Sequence, residues 1–196
     1  MALRSAKLDL RKHMRQVLGQ IPSTAIVQQS RVATDRFLSL PEYQNARSIA
    51  VYLSMPAGEL STTGIVHDAL RRGKQVYIPY IHPVETTSVM DMLSLASLAE
   101  LESLQPDPWG IPSLSPAQVA GRQDCFATGL DLIVLPGMAF DQGFRRLGHG
   151  KGYYDHFLTR YSQWTQKTSQ TPPKIPFLGM SQIPFRAQKK NRRDTH

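Results

Sequence analysis

The amino-acid sequence predicts one α/β domain, in which helices flank a mostly parallel sheet. Apolar runs alternate along the chain with segments of helical periodicity, an order typical of βαβ units. Residues 130–135 form the clearest apolar run, and Pro136-Gly137 ends it, as expected for a strand buried on both faces of a sheet. A chain of 196 residues with 41% hydrophobic content can bury one sizeable core. Together these observations favour a single-domain, Rossmann-like three-layer sandwich.

Hydrophobic periodicity and the residues that interrupt it predict the elements in order. We expect helices at residues 3–18, from an N-cap at Ser23 or Thr24 to Pro41, at 62–72, at 95–104 and from Gly152 onward. We expect strands at residues 49–53, 75–81, 89–93, 130–135 and 175–180. Ligands of open α/β sheets lie beyond the carboxyl ends of strands. The loops after residues 53 and 135 are therefore candidate binding loops.

The second of these loops ends in Gly148-His149-Gly150-Lys151-Gly152 and leads into the last helix. Alternate glycines allow close backbone approach to a ligand, and the helix offers free N–H groups and its positive dipole end to an anion such as phosphate. Lys151 and Arg146 suit phosphate oxygens, and Asp155 in the first helical turn suits magnesium. The alternative is a glycine turn whose charges are merely solvated, since neither common nucleotide-binding glycine motif is present.

The segment Phe140-Asp141, followed by Arg-Leu-Gly-His-Gly-Lys-Gly-Tyr-Tyr-Asp at residues 146–155, closely resembles the signature loop of the 5-formyltetrahydrofolate cyclo-ligases, also called methenyltetrahydrofolate synthetases. His149 stands where that family usually has arginine, and Phe144-Arg145 where a Gly-Asn turn is common. The resemblance covers about residues 5–180. It implies the ATP-dependent cyclisation of 5-formyltetrahydrofolate to 5,10-methenyltetrahydrofolate, with release of ADP and phosphate.

The resemblance also implies the residues that bind the nucleotide. In the family, an N-terminal lysine and arginine with the spacing of Lys7 and Arg11 reach the ATP phosphates, whereas spacing alone indicates only a solvated helix face. Lys151 and Arg146 become the predicted catalytic residues, and Asp155 the predicted Mg²⁺ ligand. The predicted ATP-binding set is Lys7, Arg11, Arg146, Leu147, Gly148, His149, Gly150, Lys151, Gly152 and Tyr153.

For the folate, the resemblance implies a pocket formed by Leu53, Met55, Glu59, Met90, Trp109 and Tyr154. Glu59 would accept hydrogen bonds from the pterin ring, and Trp109 would offer a flat apolar face for stacking. Without the resemblance, Glu59 is interpreted as an exposed loop acid and Trp109 as simple packing.

Charge and cysteine content limit what else can be predicted about domains, partners and compartment. The chain has a formal net charge of +8, but residues 186–196 carry five lysines and arginines against one aspartate. Because the family resemblance stops near residue 180, it implies a cyclo-ligase-like domain at residues 1–180 and a divergent basic tail at 181–196. A truncated isoform that binds folate or nucleotide without turnover is the main alternative, and nucleic-acid binding by the tail is a third hypothesis.

The single cysteine, Cys125, excludes an internal disulfide and favours a reducing compartment. We expect a cytoplasmic monomer that binds no nucleic acid and no membrane. A mitochondrial location stays open because residues 1–15 are basic.

Overall fold

The computed structural model describes residues 2–143, 145–169 and 172–173. Seven α-helices fall within these residues: α1 (Ala2–Gly19), α2 (Ser23–Leu38), α3 (Pro41–Asn45), α4 (Thr63–Arg71), α5 (Leu98–Ser103), α6 (Pro116–Val119) and α7 (Tyr153–Thr168). The strands are β1 (Ser48–Val51), β2 (Gln75–Val84), β3 (Thr87–Leu95), β4 (Gln105–Pro106), β5 (Pro112–Ser113), β6 (Leu132–Val134), β7 (Ala139–Phe140) and β8 (Arg146–Leu147). A 3₁₀ turn spans Cys125–Ala127.

Four strands form the central sheet in the order β3-β2-β1-β6. β1 pairs in parallel with both of its neighbours, so that Ala50 lies between Tyr77 of β2 and Ile133 of β6. β3 runs antiparallel to β2 as the second arm of a hairpin. All four residues of β1 are buried, as the near-continuous apolar pattern of a central parallel strand requires.

Two hydrophobic clusters cover the opposite faces of this sheet. Ile49 and Val51 of β1 belong to the first cluster and Ala50 to the second, because successive strand residues point to opposite faces. The helix residues that complete the clusters are Phe37, Ile65 and Val66 on the first face and Phe157 and Tyr161 on the second. Helices thus lie on both sides of a mainly parallel sheet, which confirms the predicted three-layer fold class.

Hydrogen bonds fix the helices and strands near the site relative to one another. The Asp131 carboxylate, just before β6, accepts the backbone N–H of Arg47 at 2.7 Å and that of Ser48, the first residue of β1, at 3.0 Å. The Tyr161 hydroxyl of α7 accepts the Leu130 N–H at 2.5 Å. The last helix is therefore anchored to the segment that leads into β6.

Several predicted boundaries differ from the structure. Leu95 was expected to begin a helix, but it ends β3 opposite Val76 and is buried, and α5 follows the N-cap Ser97. Pro22, rather than Ser23 or Thr24, occupies the N-cap of α2. The proline-rich loop near Trp109 is closed by the short β4–β5 pair. The expected strand at 175–180 lies outside the described residues.

Among the helices described, none combines the length and hydropathy that a transmembrane span requires.

Candidate active site

The glycine turn follows β8 directly and ends at α7. The β7–β8 hairpin brings the chain back from the end of β6, and the Met138 N–H donates to the Leu147 carbonyl at 2.8 Å. Gly150 and Gly152 have φ angles of 107° and 77°, which lie in the region that favours glycine. Gly152 is also the N-cap of α7. The segment GHGKG therefore turns at two glycines with positive φ, directly before a 16-residue helix.

The first turn of α7 has the features of an anion site. Its first intrahelical hydrogen bond runs from the His156 N–H to the Gly152 carbonyl at 2.9 Å. The N–H groups of residues 153–155 consequently have no acceptor in a preceding turn, and the positive end of the helix dipole lies beside them. These donors suit phosphate oxygens.

Arg146 is fixed next to this turn. Its guanidinium Nη1 donates to the Pro136 carbonyl at 3.2 Å, and Nη2 forms an ion pair with Asp155. The guanidinium also lies 5.8 Å from the centroid of the Tyr154 ring. Only 11% of the Arg146 side chain is exposed. The strand end, the first turn of α7 and an aromatic ring thus hold one charged fork in place.

Arg11 brings α1 against the same turn. Its Nε donates to the Gly148 carbonyl at 2.9 Å across 137 residues of sequence, and a Cβ added to Gly150 would lie 3.4 Å from the Arg11 Cζ. Lys7 lies one helical turn away on the same face and is exposed, as is Lys151. The structure therefore brings α1 and the glycine turn together, with two mobile cations at the edge.

The folate candidates divide into two groups. Leu53 and Met90 are buried, the first in the cluster under α4 and the second in the cluster under α7. Met55 is half-buried in the loop after β1, and its N–H donates to Glu59 at 3.0 Å. Trp109 is 57% exposed, so it is not a core packing residue.

Glu59 is not an exposed loop acid, because only 10% of its side chain is accessible. One carboxylate oxygen accepts the Met55 N–H, and the other lies 3.3 Å from Nε2 of His149 in the glycine turn. Burial and, after it, the Glu59 charge raise the pKa of the Tyr154 hydroxyl well above its ordinary value. The first binding loop and the glycine turn are therefore in direct contact.

Comparison with known proteins decides the family, because the profile of the 5-formyltetrahydrofolate cyclo-ligase family matches residues 4–183. The chain belongs to this family. A 5-formyltetrahydrofolate cyclo-ligase of Mus musculus is 37% identical over 160 residues, which cover 81% of this chain and 76% of the mouse protein. A probable 5-formyltetrahydrofolate cyclo-ligase of Caenorhabditis elegans is 32% identical over 183 residues, covering 93% and 85%. The predicted family is confirmed.

Solved structures agree with the cyclo-ligase fold. The 5,10-methenyltetrahydrofolate synthetase of Aquifex aeolicus superposes with a TM-score of 0.64 at 24% identity, covering 88% of this chain and 76% of that one. The Mycoplasma pneumoniae synthetase gives a TM-score of 0.54 at 17% identity, covering 79% and 77%. At these identities the likeness establishes the fold alone.

Within this cyclo-ligase, the metal prediction rests on one carboxylate. Asp155 lies in the first turn of α7, and its side chain is 74% exposed although Arg146 pairs with one oxygen. The described residues contain no cluster of three or more histidines, cysteines, aspartates or glutamates suited to a metal ion. Mg²⁺ commonly takes one or two protein carboxylates and completes its shell with phosphate oxygens and water, so a single aspartate fits that mode.

Two supporting groups in this cyclo-ligase were missed by the sequence analysis. The Pro136 carbonyl holds Arg146, and the loop at Pro56 supports the Trp109 loop, since a Cβ on Gly110 would lie 2.7 Å from the Pro56 Cγ. The Pro136-Gly137 pair at the end of the apolar run could have indicated that the Pro136 carbonyl lies near the site. The second is a long-range contact without a local sequence signal.

Proposed function

We propose that this protein catalyses the ATP-dependent cyclisation of 5-formyltetrahydrofolate to 5,10-methenyltetrahydrofolate, releasing ADP and phosphate. The observation that carries the proposal is the convergence of Arg11 and Arg146 on the glycine turn at the start of α7. Two guanidinium groups, a glycine-lined backbone and a helix N-terminus form a site for a polyphosphate. The names of the mouse and nematode relatives supply the reaction.

The chemistry explains why a folate cyclase needs such a site. A formamide carbon is a poor electrophile, and its oxygen is a poor leaving group. Transfer of the ATP γ-phosphoryl group to the formyl oxygen leaves ADP and makes that oxygen part of a phosphate ester. N10 of the folate then attacks the activated carbon, the C–O bond breaks, phosphate leaves and the N10 proton is lost. The protein mainly positions the two substrates and neutralises the charge of the phosphates.

In this mechanism Arg146 and Lys151 are the catalytic residues that face the transferred phosphoryl group. Arg146 is pre-oriented by Pro136 and Asp155, so its fork needs little reorganisation. Lys151 is exposed and adds a mobile point charge. Lys7 and Arg11 hold the remaining phosphates from α1, and the backbone of residues 147–150, with Gly152 and Tyr153, cradles them.

For the folate, Glu59 accepts N–H donors of the pterin ring from a largely buried position. Trp109 stacks on a ring of the substrate from its exposed loop, and Tyr154, close to both Glu59 and Arg146, forms the inner wall. Leu53 and Met90 define the shape of the pocket through the core, and Met55 fixes Glu59 through its N–H.

A Mg²⁺ ion fits this site through Asp155 together with the phosphates of the nucleotide. When bound, it would neutralise phosphate charge during transfer. Asp155 has one oxygen directed to Arg146, which leaves the other for a cation.

Replacing Lys151 by alanine tests the nucleotide assignment. We expect the Lys151→Ala variant to lose ATP turnover while its melting temperature stays near that of the wild type, because this lysine is exposed. Lys167→Ala is the matched control, since Lys167 is an exposed lysine in the last turn of α7, roughly 20 Å from the glycine turn. Unchanged turnover in Lys151→Ala refutes the assignment.

The non-catalytic isoform is the less favoured alternative, because the relatives that match most of the chain are named as cyclo-ligases. We also propose a monomer that binds no nucleic acid and works in the cytoplasm or in mitochondria. The Arabidopsis thaliana relative is named as mitochondrial. Sedimentation of the purified protein tests the monomeric state, and microscopy of a tagged copy tests the location.

A further inference from the structure

A pair of side chains, Glu59 and His149, connects the two substrate loops of this protein. Glu59 belongs to the loop after β1, and His149 to the glycine turn 90 residues later. Nε2 of His149 lies 3.3 Å from Oε1 of Glu59. This distance is at the long end for a nitrogen–oxygen hydrogen bond, so the contact is weak enough for a ligand to break.

The surroundings of the pair are asymmetric. The Glu59 carboxylate is largely buried and stays fixed through the Met55 N–H at 3.0 Å, with Tyr154 beside it. The His149 imidazole is 42% exposed and sits on a turn with glycines on both sides. The imidazole is therefore the partner that moves when the contact breaks.

We infer that the His149–Glu59 contact is a bridge that couples the nucleotide and folate sites. This inference rests on the proposed function. A pterin that donates to Glu59 must displace the imidazole, and a phosphate that attracts the imidazole must release Glu59. Whichever ligand binds first breaks the bridge, and the second then finds its partner already free. Binding is consequently cooperative in both directions.

Removing the His149 imidazole should have opposite effects on the binding of the two ligands. Without the imidazole, Glu59 is free before any nucleotide arrives. The His149→Ala variant should therefore bind 5-formyltetrahydrofolate alone more tightly than the wild type does, while it binds nucleotide alone more weakly. His149→Arg should weaken folate binding in the absence of nucleotide, because a guanidinium grips a carboxylate at two points. A residue with a merely structural role would not produce these opposite shifts.

Calorimetry with 5-formyltetrahydrofolate, alone and with a saturating non-hydrolysable ATP analogue, measures the coupling. We expect the analogue to tighten folate binding about 5-fold or more in the wild type. In His149→Ala the factor should fall close to one. His13→Ala is the matched control, since His13 is exposed on α1, and it should keep the wild-type factor. Titrating the analogue with and without folate must return the same factor, because coupling is reciprocal.

Two results would overturn the bridge. The first is a wild-type protein whose affinity for 5-formyltetrahydrofolate does not change when the ATP analogue is bound. The second is a His149→Ala variant that shows the same change in affinity as the wild type and binds folate alone no more tightly. Melting curves of each variant exclude unfolding as the cause. The proposed function is refuted by a different result, namely a wild-type protein that forms no methenyltetrahydrofolate. If the wild type forms this product and His149→Ala keeps the wild-type coupling between the two ligands, only the bridge is refuted.

Discussion

Gly148→Ala perturbs the site without changing any charge. Gly148 lies outside the left-handed backbone region, so alanine is compatible with its local conformation. The added Cβ would lie 2.8 Å from Nη1 of Arg146 and 3.6 Å from its Cζ. A carbon and a nitrogen need about 3.5 Å. Nη1 must therefore move by roughly 0.7 Å, and the same nitrogen is the one that donates to the Pro136 carbonyl at 3.2 Å.

The consequence is a loss of phosphoryl positioning with little loss of stability. A hydrogen bond from a charged donor is worth about 1.5–3 kcal/mol, which corresponds to roughly 10- to 150-fold in kcat/KM for ATP. The free energy of unfolding should change by less than about 1 kcal/mol. The change is small because the displaced atom, Nη1 of Arg146, is at the end of a flexible side chain. Replacing glycine by alanine also lowers the conformational entropy of the unfolded chain, which favours the folded state.

Steady-state production of methenyltetrahydrofolate at varied ATP, with urea unfolding of the same samples, measures both effects. Gly19→Ala is the matched control, because a Cβ at Gly19 meets nothing within 4 Å. The double variant Gly148→Ala/Arg146→Ala should be no slower than Arg146→Ala alone, since both changes remove the same contact. Wild-type kcat/KM in Gly148→Ala, or losses that multiply in the double variant, would refute this reasoning.

Three further perturbations probe the folate face and the frame. Trp109→Ala should raise KM for 5-formyltetrahydrofolate about 10-fold by removing a stacking face and leave KM for ATP unchanged; equal shifts in both constants would contradict a folate role. Asp131→Ala should cost about 1–3 kcal/mol in urea unfolding because two N–H groups next to β1 lose their acceptor, while KM values stay constant in a protein that remains folded. The hydrogen bond from Arg122 lowers the pKa of Glu100 in the folded protein, so its stabilisation is present above the unfolded pKa, near 4.3, and is lost as pH falls through the folded pKa. Glu100→Gln should therefore be destabilising at pH 7, and the difference in unfolding free energy should shrink as pH falls below the unfolded pKa of Glu100; a pH-independent difference would contradict this reasoning.

Local features of the site were predictable from the sequence, because they depend on neighbouring residues. The glycine spacing and the helical repeat of Tyr153 and Phe157 located the turn and the start of α7 within one residue. The apolar run before Pro136 located β6, although the strand is shorter than predicted. These features follow from backbone freedom and periodicity.

Contacts distant in sequence were not predictable in this way. Nothing in the spacing of Lys7 and Arg11 indicates that Arg11 meets Gly148, and only the family resemblance directed attention to it. Glu59 was interpreted as exposed without the resemblance, because its partners Met55 and His149 become neighbours only after folding. Leu95 was assigned to a helix, but pairing with Val76 and burial extend the strand to include it. Tertiary packing outweighs local propensity at such positions.

The most direct test of the account follows the formyl oxygen. The purified protein is given ATP and 5-formyltetrahydrofolate that carries an oxygen isotope label in the formyl group. Mass spectrometry of the released phosphate and near-ultraviolet absorbance of methenyltetrahydrofolate are recorded together. We predict one labelled phosphate and one ADP for each methenyltetrahydrofolate formed, because the γ-phosphoryl group leaves with that oxygen. Unlabelled phosphate, or ring closure without ATP, would contradict phosphoryl transfer at the glycine turn.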